Sequence, residues 1–143
     1  MYVPGAPDSE SKSAAWIEAD GRGLRLATDV SDAAARLVRA TDHAARLAEP
    51  GADAALVRDI DLAILGRDAL RFMEYEYGVS EEYSCMPQWK LVRGRRRFLA
   101  GILASPAIYR TPHFRERYEA KAKANLTALL GSPRYSRRWC WGW

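Results

Sequence analysis

The sequence predicts an all-α fold, a bundle of about six helices. Three observations carry this. Alanine is abundant and β-branched residues are sparse, which favours helix over strand. Apolar residues recur at three- and four-residue spacing through most of the chain. Short breaks rich in Gly, Pro and Ser separate these stretches, and neither an internal repeat nor a convincing strand pattern occurs. With 143 residues, 48% of them hydrophobic and 28% charged, the chain has the length and composition of one globular core.

Residues 1–7 hold two prolines and a glycine and read as a loop. Asp8-Ser9-Glu10 opens the first helix, with Asp8 or Ser9 as cap and acids in the first turn where the dipole favours them. Ala14, Ala15 and Ile17 give that helix its apolar side, and Gly21-Arg22-Gly23 ends it. Ser31 is a suitable N-cap for a second helix carrying Ala34, Leu37, Val38 and Thr41. After the Glu49-Pro50-Gly51 break, Ala52 to Leu65 reads as an amphipathic helix with Leu56, Ile60, Ala63 and Ile64 on one stripe, closed by Gly66. A helix from Asp68 to Tyr77 ends at Gly78. Trp89–Leu103 follows, with Leu91, Val92, Arg95, Phe98, Leu99 and Ile102, and stops at Ser105-Pro106. Thr111-Pro112 supplies a cap and a first-position proline for the last helix, which runs to Leu130. The chain is thus expected to divide into a helical domain over 1–130 and an irregular basic and aromatic tail over 131–143.

Two cysteines, Cys85 and Cys140, make neither a disulfide framework nor a zinc site, and a reduced, cytoplasmic setting is expected. The N-terminus lacks a charged and apolar leader pattern, and no apolar run approaches the roughly 20 residues of a membrane span. The net charge of +4 is uneven. Beyond Glu119, the last acid, Lys121, Lys123, Arg134, Arg137 and Arg138 carry all of it, so the basic balance belongs to the C-terminal end. Nucleic acid is not the expected partner of the body.

Few residues are placed for chemistry. Of two histidines, His43 sits at a helix end and His113 in the first turn of the last helix, positions usual for capping or surface residues. Asp59 and Asp61 lie within an apolar helix. Two positions apart on a helix point about 200° apart, so one acid faces inward and needs a partner or a metal while the other faces solvent or a neighbouring helix. Glu10 reads as a first-turn acid or as a catalytic acid. Gly94-Arg95-Arg96-Arg97 sets three arginines about 100° apart; most are solvated, and one can pair with a buried acid or a phosphate.

Several segments, taken in order, resemble the metal-dependent HD-superfamily phosphohydrolases over residues 2–130. They are Tyr2-Val3-Pro4-Gly5-Ala6-Pro7-Asp8-Ser9-Glu10 with Ser13-Ala14, then Arg39-Ala40-Thr41-Asp42-His43, then Asp59-Ile60-Asp61-Leu62-Ala63-Ile64-Leu65-Gly66. Glu82-Tyr83, Gly94-Arg95, Ile108-Tyr109, Thr111-Pro112, Phe114 and Glu119-Ala120 through Asn125-Leu126 follow. Asp59–Gly66 is the most specific of these. Ser9 stands where the family has Asn.

The resemblance implies an HD-like helical bundle and a divalent metal centre built from an early His, a His-Asp pair and a late Asp. The late Asp corresponds to Asp59, with Asp61 as the other candidate. Glu10 would stand near the attacking water, and Arg95 would touch the phosphate of a phosphorylated small molecule or nucleotide. The early His and the His-Asp pair fall upstream of Tyr2 in the family, so the bundle is expected to be incomplete at its N-terminus. The chain itself is expected to bind no metal and to be inactive. The alternative reading is a non-catalytic helical module that uses an exposed helical face for binding or for homo-oligomerisation. A third reading gives nucleic acid or anionic membrane to the tail, through Arg134, Tyr135, Arg137, Arg138, Trp139, Trp141 and Trp143; a disordered tail is the simpler expectation.

Overall fold

A computed structural model describes residues 9–43 and 51–135, apart from the side chain of Arg22. Among these residues there are six α-helices: α1 (Ser9–Gly23), α2 (Thr28–Ala40), α3 (Ala52–Leu62), α4 (Ala69–Glu82), α5 (Gln88–Leu103) and α6 (Pro112–Gly131). A 3₁₀ turn, Ala63–Gly66, follows α3. No strand occurs among the described residues, and the fold is all-α. No helix among them is long and apolar enough to cross a membrane. The chain divides into two compact units, Met1–Asp61 and Leu62–Trp143.

In the first unit α1 and α2 pack on each other through small residues. Ala14 and Gly21 are buried on α1, and Ser31, Ala35 and Ala40 on α2. The fit is tight at Gly21, where a Cβ would collide with the Ser31 side chain. Ser31 is therefore not the expected cap. The helix starts four residues earlier, at Thr28 after Ala27, and Ser31 is used as a small interior residue. The end of α1 also differs. The helix runs through Gly23, and the reversal falls on Arg25, whose φ of 56° lies in the left-handed region. The Leu26 N–H then reaches back to the Gly21 carbonyl, closing the end as a Schellman-type turn.

The expected apolar stripe of α3 is corrected. Leu56 and Ile60 are 43% and 57% exposed, whereas Asp59 and Leu62 are buried. The helix is turned so that its acid faces inward.

In the second unit Leu62, Leu65, Phe72, Leu99, Tyr109 and Leu126 form the centre of one core. The 3₁₀ turn lies close against α6, because Gly66 has no side chain: a Cβ there would stand 2.5 Å from the Tyr118 Cβ. Asn125 on α6 holds the same turn, its amide donating to the carbonyls of Leu65 (2.8 Å) and Arg67 (2.9 Å). Asp68 caps α4 by accepting from the Arg71 N–H at 3.0 Å. Gly78 does not end that helix, which continues to Glu82. Past Gly78, Val79 and Ser80 are half-buried, and the helix is carried on by packing that outweighs a glycine cost of about 1 kcal/mol. Pro112 stands at the start of α6 as expected, but Thr111 makes no side-chain cap bond.

Of the expected irregular tail, residues 131–135 are described. They are ordered against the second unit: Tyr135 is buried in its core, and Arg134 donates to the Ser80 hydroxyl. Residues 136–143, with the remaining arginines and tryptophans of the tail reading, lie outside the described residues, as do Tyr2–Asp8.

Candidate functional site

The residues singled out by sequence are divided between the two units. Glu10, Asp59 and Asp61 belong to the first and Arg95 to the second.

On α3 the two aspartates separate as their spacing requires. Asp59 is wholly buried and engaged in a polar interaction, while the Asp61 side chain is 51% exposed. Asp61 pairs with His43, Oδ2 to Nε2 at 2.6 Å. Arg58, between them and half-buried, donates to the carbonyls of Ala40 (3.0 Å) and Asp42 (3.1 Å). The Ala40 carbonyl ends α2, where helical partners run out and a cation is favoured, and Asp42 lies just beyond it. Thr41 Oγ1 closes the same end by donating to the Val38 carbonyl at 2.7 Å. The Asp59–Asp61 segment and the Thr41–His43 helix end, two of the segments of the resemblance, are thereby tied together. Glu10, half-buried in the first turn of α1, stands where a negative charge suits the dipole.

The fit of a metal can be judged from the donor set. Among the described residues no three His, Cys, Asp or Glu side chains form a group that holds a metal ion. A catalytic transition metal takes at least three protein ligands in its usual sites. The described residues do not fit such an ion by themselves.

Arg95 in the second unit is committed to a carboxylate. Its NH2 and Nε donate to the two oxygens of Glu76, at 2.6 and 3.3 Å, in a forked pair. The side chains are 13% and 4% exposed. The guanidinium also lies over the rings of Tyr75 (5.4 Å) and Phe98 (5.2 Å). Burial opposes its charge, but the Glu76 bonds and charge, with Tyr75 behind them, outweigh it and raise the Arg95 pKa. Burial, then the Glu76 charge, push the Tyr135 hydroxyl above its ordinary value. From the sequence, one arginine of the run was expected to meet a buried acid or a phosphate, with Arg95 assigned to the phosphate; Glu76 was not singled out as its partner. The signal was present: Glu76 follows Phe72 by four residues, and Arg95 follows Leu91 by four, so each charge sits on the inward face of its helix.

The loop before α6 is organised by Glu119. It accepts from the Ile108 N–H at 3.0 and 3.1 Å and from the Tyr109 N–H at 3.2 Å, and it pairs with Lys123 at 3.0 Å. Burial works against its charge, yet the Ile108 amide, Lys123 and the Tyr109 amide together hold its carboxyl below the ordinary range. Arg115 Nε donates to the Tyr109 carbonyl at 2.7 Å. The Tyr109 hydroxyl, wholly buried, donates to the Leu62 carbonyl at 3.0 Å, satisfying a backbone group where α3 gives way to the 3₁₀ turn.

No protein-family model, no curated protein and no solved structure matches this chain.

Proposed function

We propose that this chain is a non-catalytic relative of the HD-superfamily phosphohydrolases, one that keeps the family's segments as a helical scaffold. One observation carries the reading: several of the polar groups of those segments make internal contacts. Asp61 holds His43. Glu119 holds the Ile108 and Tyr109 amides. Asn125 holds the Leu65 and Arg67 carbonyls, and Tyr109 the Leu62 carbonyl. Arg95, expected to meet a phosphate, is held by Glu76, and a phosphate would have to displace that carboxylate.

On this reading Asp59, the counterpart of the family's late ligand, is a structural buried acid. The test is to titrate the chain with Mn²⁺ and Mg²⁺ by calorimetry and to assay p-nitrophenyl phosphate hydrolysis, for wild type and Asp59→Asn. No metal-dependent turnover is expected from either. Metal-dependent turnover that Asp59→Asn abolishes would overturn the scaffold reading. The family relationship is tested separately, by the intact mass of the native protein and the in-frame DNA upstream of Met1. An early His and a His-Asp pair encoded there, on a heavier native chain, would return the metal-dependent hydrolase to first place.

A further inference from the structure

In the second unit, α4 and α5 present outward faces of opposite charge, each with exposed apolar side chains. On α4, Leu70, Met73 and Tyr77 follow at three- and four-residue spacing and share one stripe. Leu70 and Tyr77 are 73% and 65% exposed, on the side away from the buried Phe72 and Glu76. Glu81 and Glu82 close the helix, both exposed, and no ion pair to either occurs among the described residues. Acids in a last turn oppose the helix dipole and favour an external cation there.

On α5 the pattern is the converse. The helix carries five basic residues and no acid. Arg95 is neutralised by Glu76, but Arg93 and Arg97 are exposed on the same stripe as Trp89, at intervals of four. Trp89 is 62% exposed with the Lys90 ammonium 5.5 Å from its ring centre. Lys90 lies in the first turn, where a positive charge again opposes the dipole.

We infer that a second copy of this chain seats on these two helices, α4 of one protomer against α5 of its partner. A two-fold arrangement makes each contact twice and needs no second kind of surface. The helices are matched in length, at about 21 and 24 Å. The Leu70–Tyr77 stripe then meets the Trp89 side of the partner, and Glu81 and Glu82 meet the partner's arginines. Nucleic acid would suit α5 alone, through its cations and Trp89. The acids at the end of α4, next in the chain to the start of α5, disfavour a polyphosphate, whereas a second copy uses the exposed residues of both helices.

The test is sedimentation equilibrium of the full chain at micromolar concentration and low salt. A dimer is expected, weakening as salt rises. Two charge reversals are compared, Glu81→Lys with Glu82→Lys on α4, and Arg93→Glu with Arg97→Glu on α5. Each set alone is expected to raise the dimer Kd by about 100-fold or more, because the clash is made twice. Mixing the two reversed chains is expected to restore a heterodimer. Leu70→Glu, which leaves both charge sets intact, is expected to give monomer with unchanged helical circular dichroism. A wild-type monomer under these conditions, a dimer indifferent to both reversals, or a mixture that stays monomeric would overturn the inference. A monomer that binds poly-uridine through Arg93 and Arg97 would overturn it too and assign the α5 face to nucleic acid.

Discussion

Replacing Arg95 by methionine keeps most of the side chain's apolar stem and removes its charge. Glu76 is 3% exposed and takes two hydrogen bonds from that guanidinium. Without it, a carboxylate is left in the interior facing Tyr135, with its main counter-charge gone. Breaking a buried pair from one side costs about 3–5 kcal/mol, a large share of the roughly 5–15 kcal/mol that holds a domain folded. With a urea slope of about 2 kcal/mol per molar, the unfolding midpoint falls by about 2 M. The assay is urea unfolding followed by circular dichroism, on wild type, Arg95→Met, Glu76→Leu and the double variant. The double variant is expected within about 1 kcal/mol of wild type, since apolar side chains of similar size replace a buried pair at little cost. The singles and the double together should then give a coupling of about 2 kcal/mol or more. A single Arg95→Met variant within about 1 kcal/mol of wild type would refute the reasoning; so would a double variant as unstable as the sum of the singles.

Three further outcomes follow from the same geometry. Glu119→Gln is expected to lose about 1–3 kcal/mol at neutral pH, because a charged acceptor of two backbone amides becomes neutral. The folded carboxyl lies below its ordinary value, so its contribution is complete above an unfolded pKa of about 4.3 and disappears as pH falls through the lower folded value; thermal melts should show the two proteins converging in that acid range. Gly66→Ala forces a methyl to 2.5 Å from the Tyr118 Cβ and 2.8 Å from its carbonyl oxygen, which should cost about 1–3 kcal/mol by denaturant unfolding; a neutral result would mean the turn and α6 stand further apart. Ser31→Ala removes a buried hydroxyl with no hydrogen-bond partner among the described residues and should stabilise by up to about 1 kcal/mol, read as a raised melting temperature.

The all-α class was legible because helical spacing and local breakers act within a few residues, and these forces are encoded in sequence order. The opposite fates of Asp59 and Asp61 were legible too, since two positions on one helix cannot share a face. Asp68 and Pro112 announced their helix starts by chemistry that needs only the next three residues. What the sequence left open was which face turns inward and which partner waits there. Leu56 and Ile60 are the more apolar side of α3, yet Asp59 is the side that is buried. Ser31 has the chemistry of a cap, yet its small volume against Gly21 decided its place. Gly78 reads as a stop, yet α4 continues through it. The pairing of Glu76 with Arg95, nineteen residues apart, and of Tyr109 with the Leu62 carbonyl, forty-seven apart, depends on how separate helices meet. Local propensity is worth tenths of a kilocalorie to about one per residue, whereas a buried charge or a steric collision is worth several. Where the two disagree, tertiary packing decides.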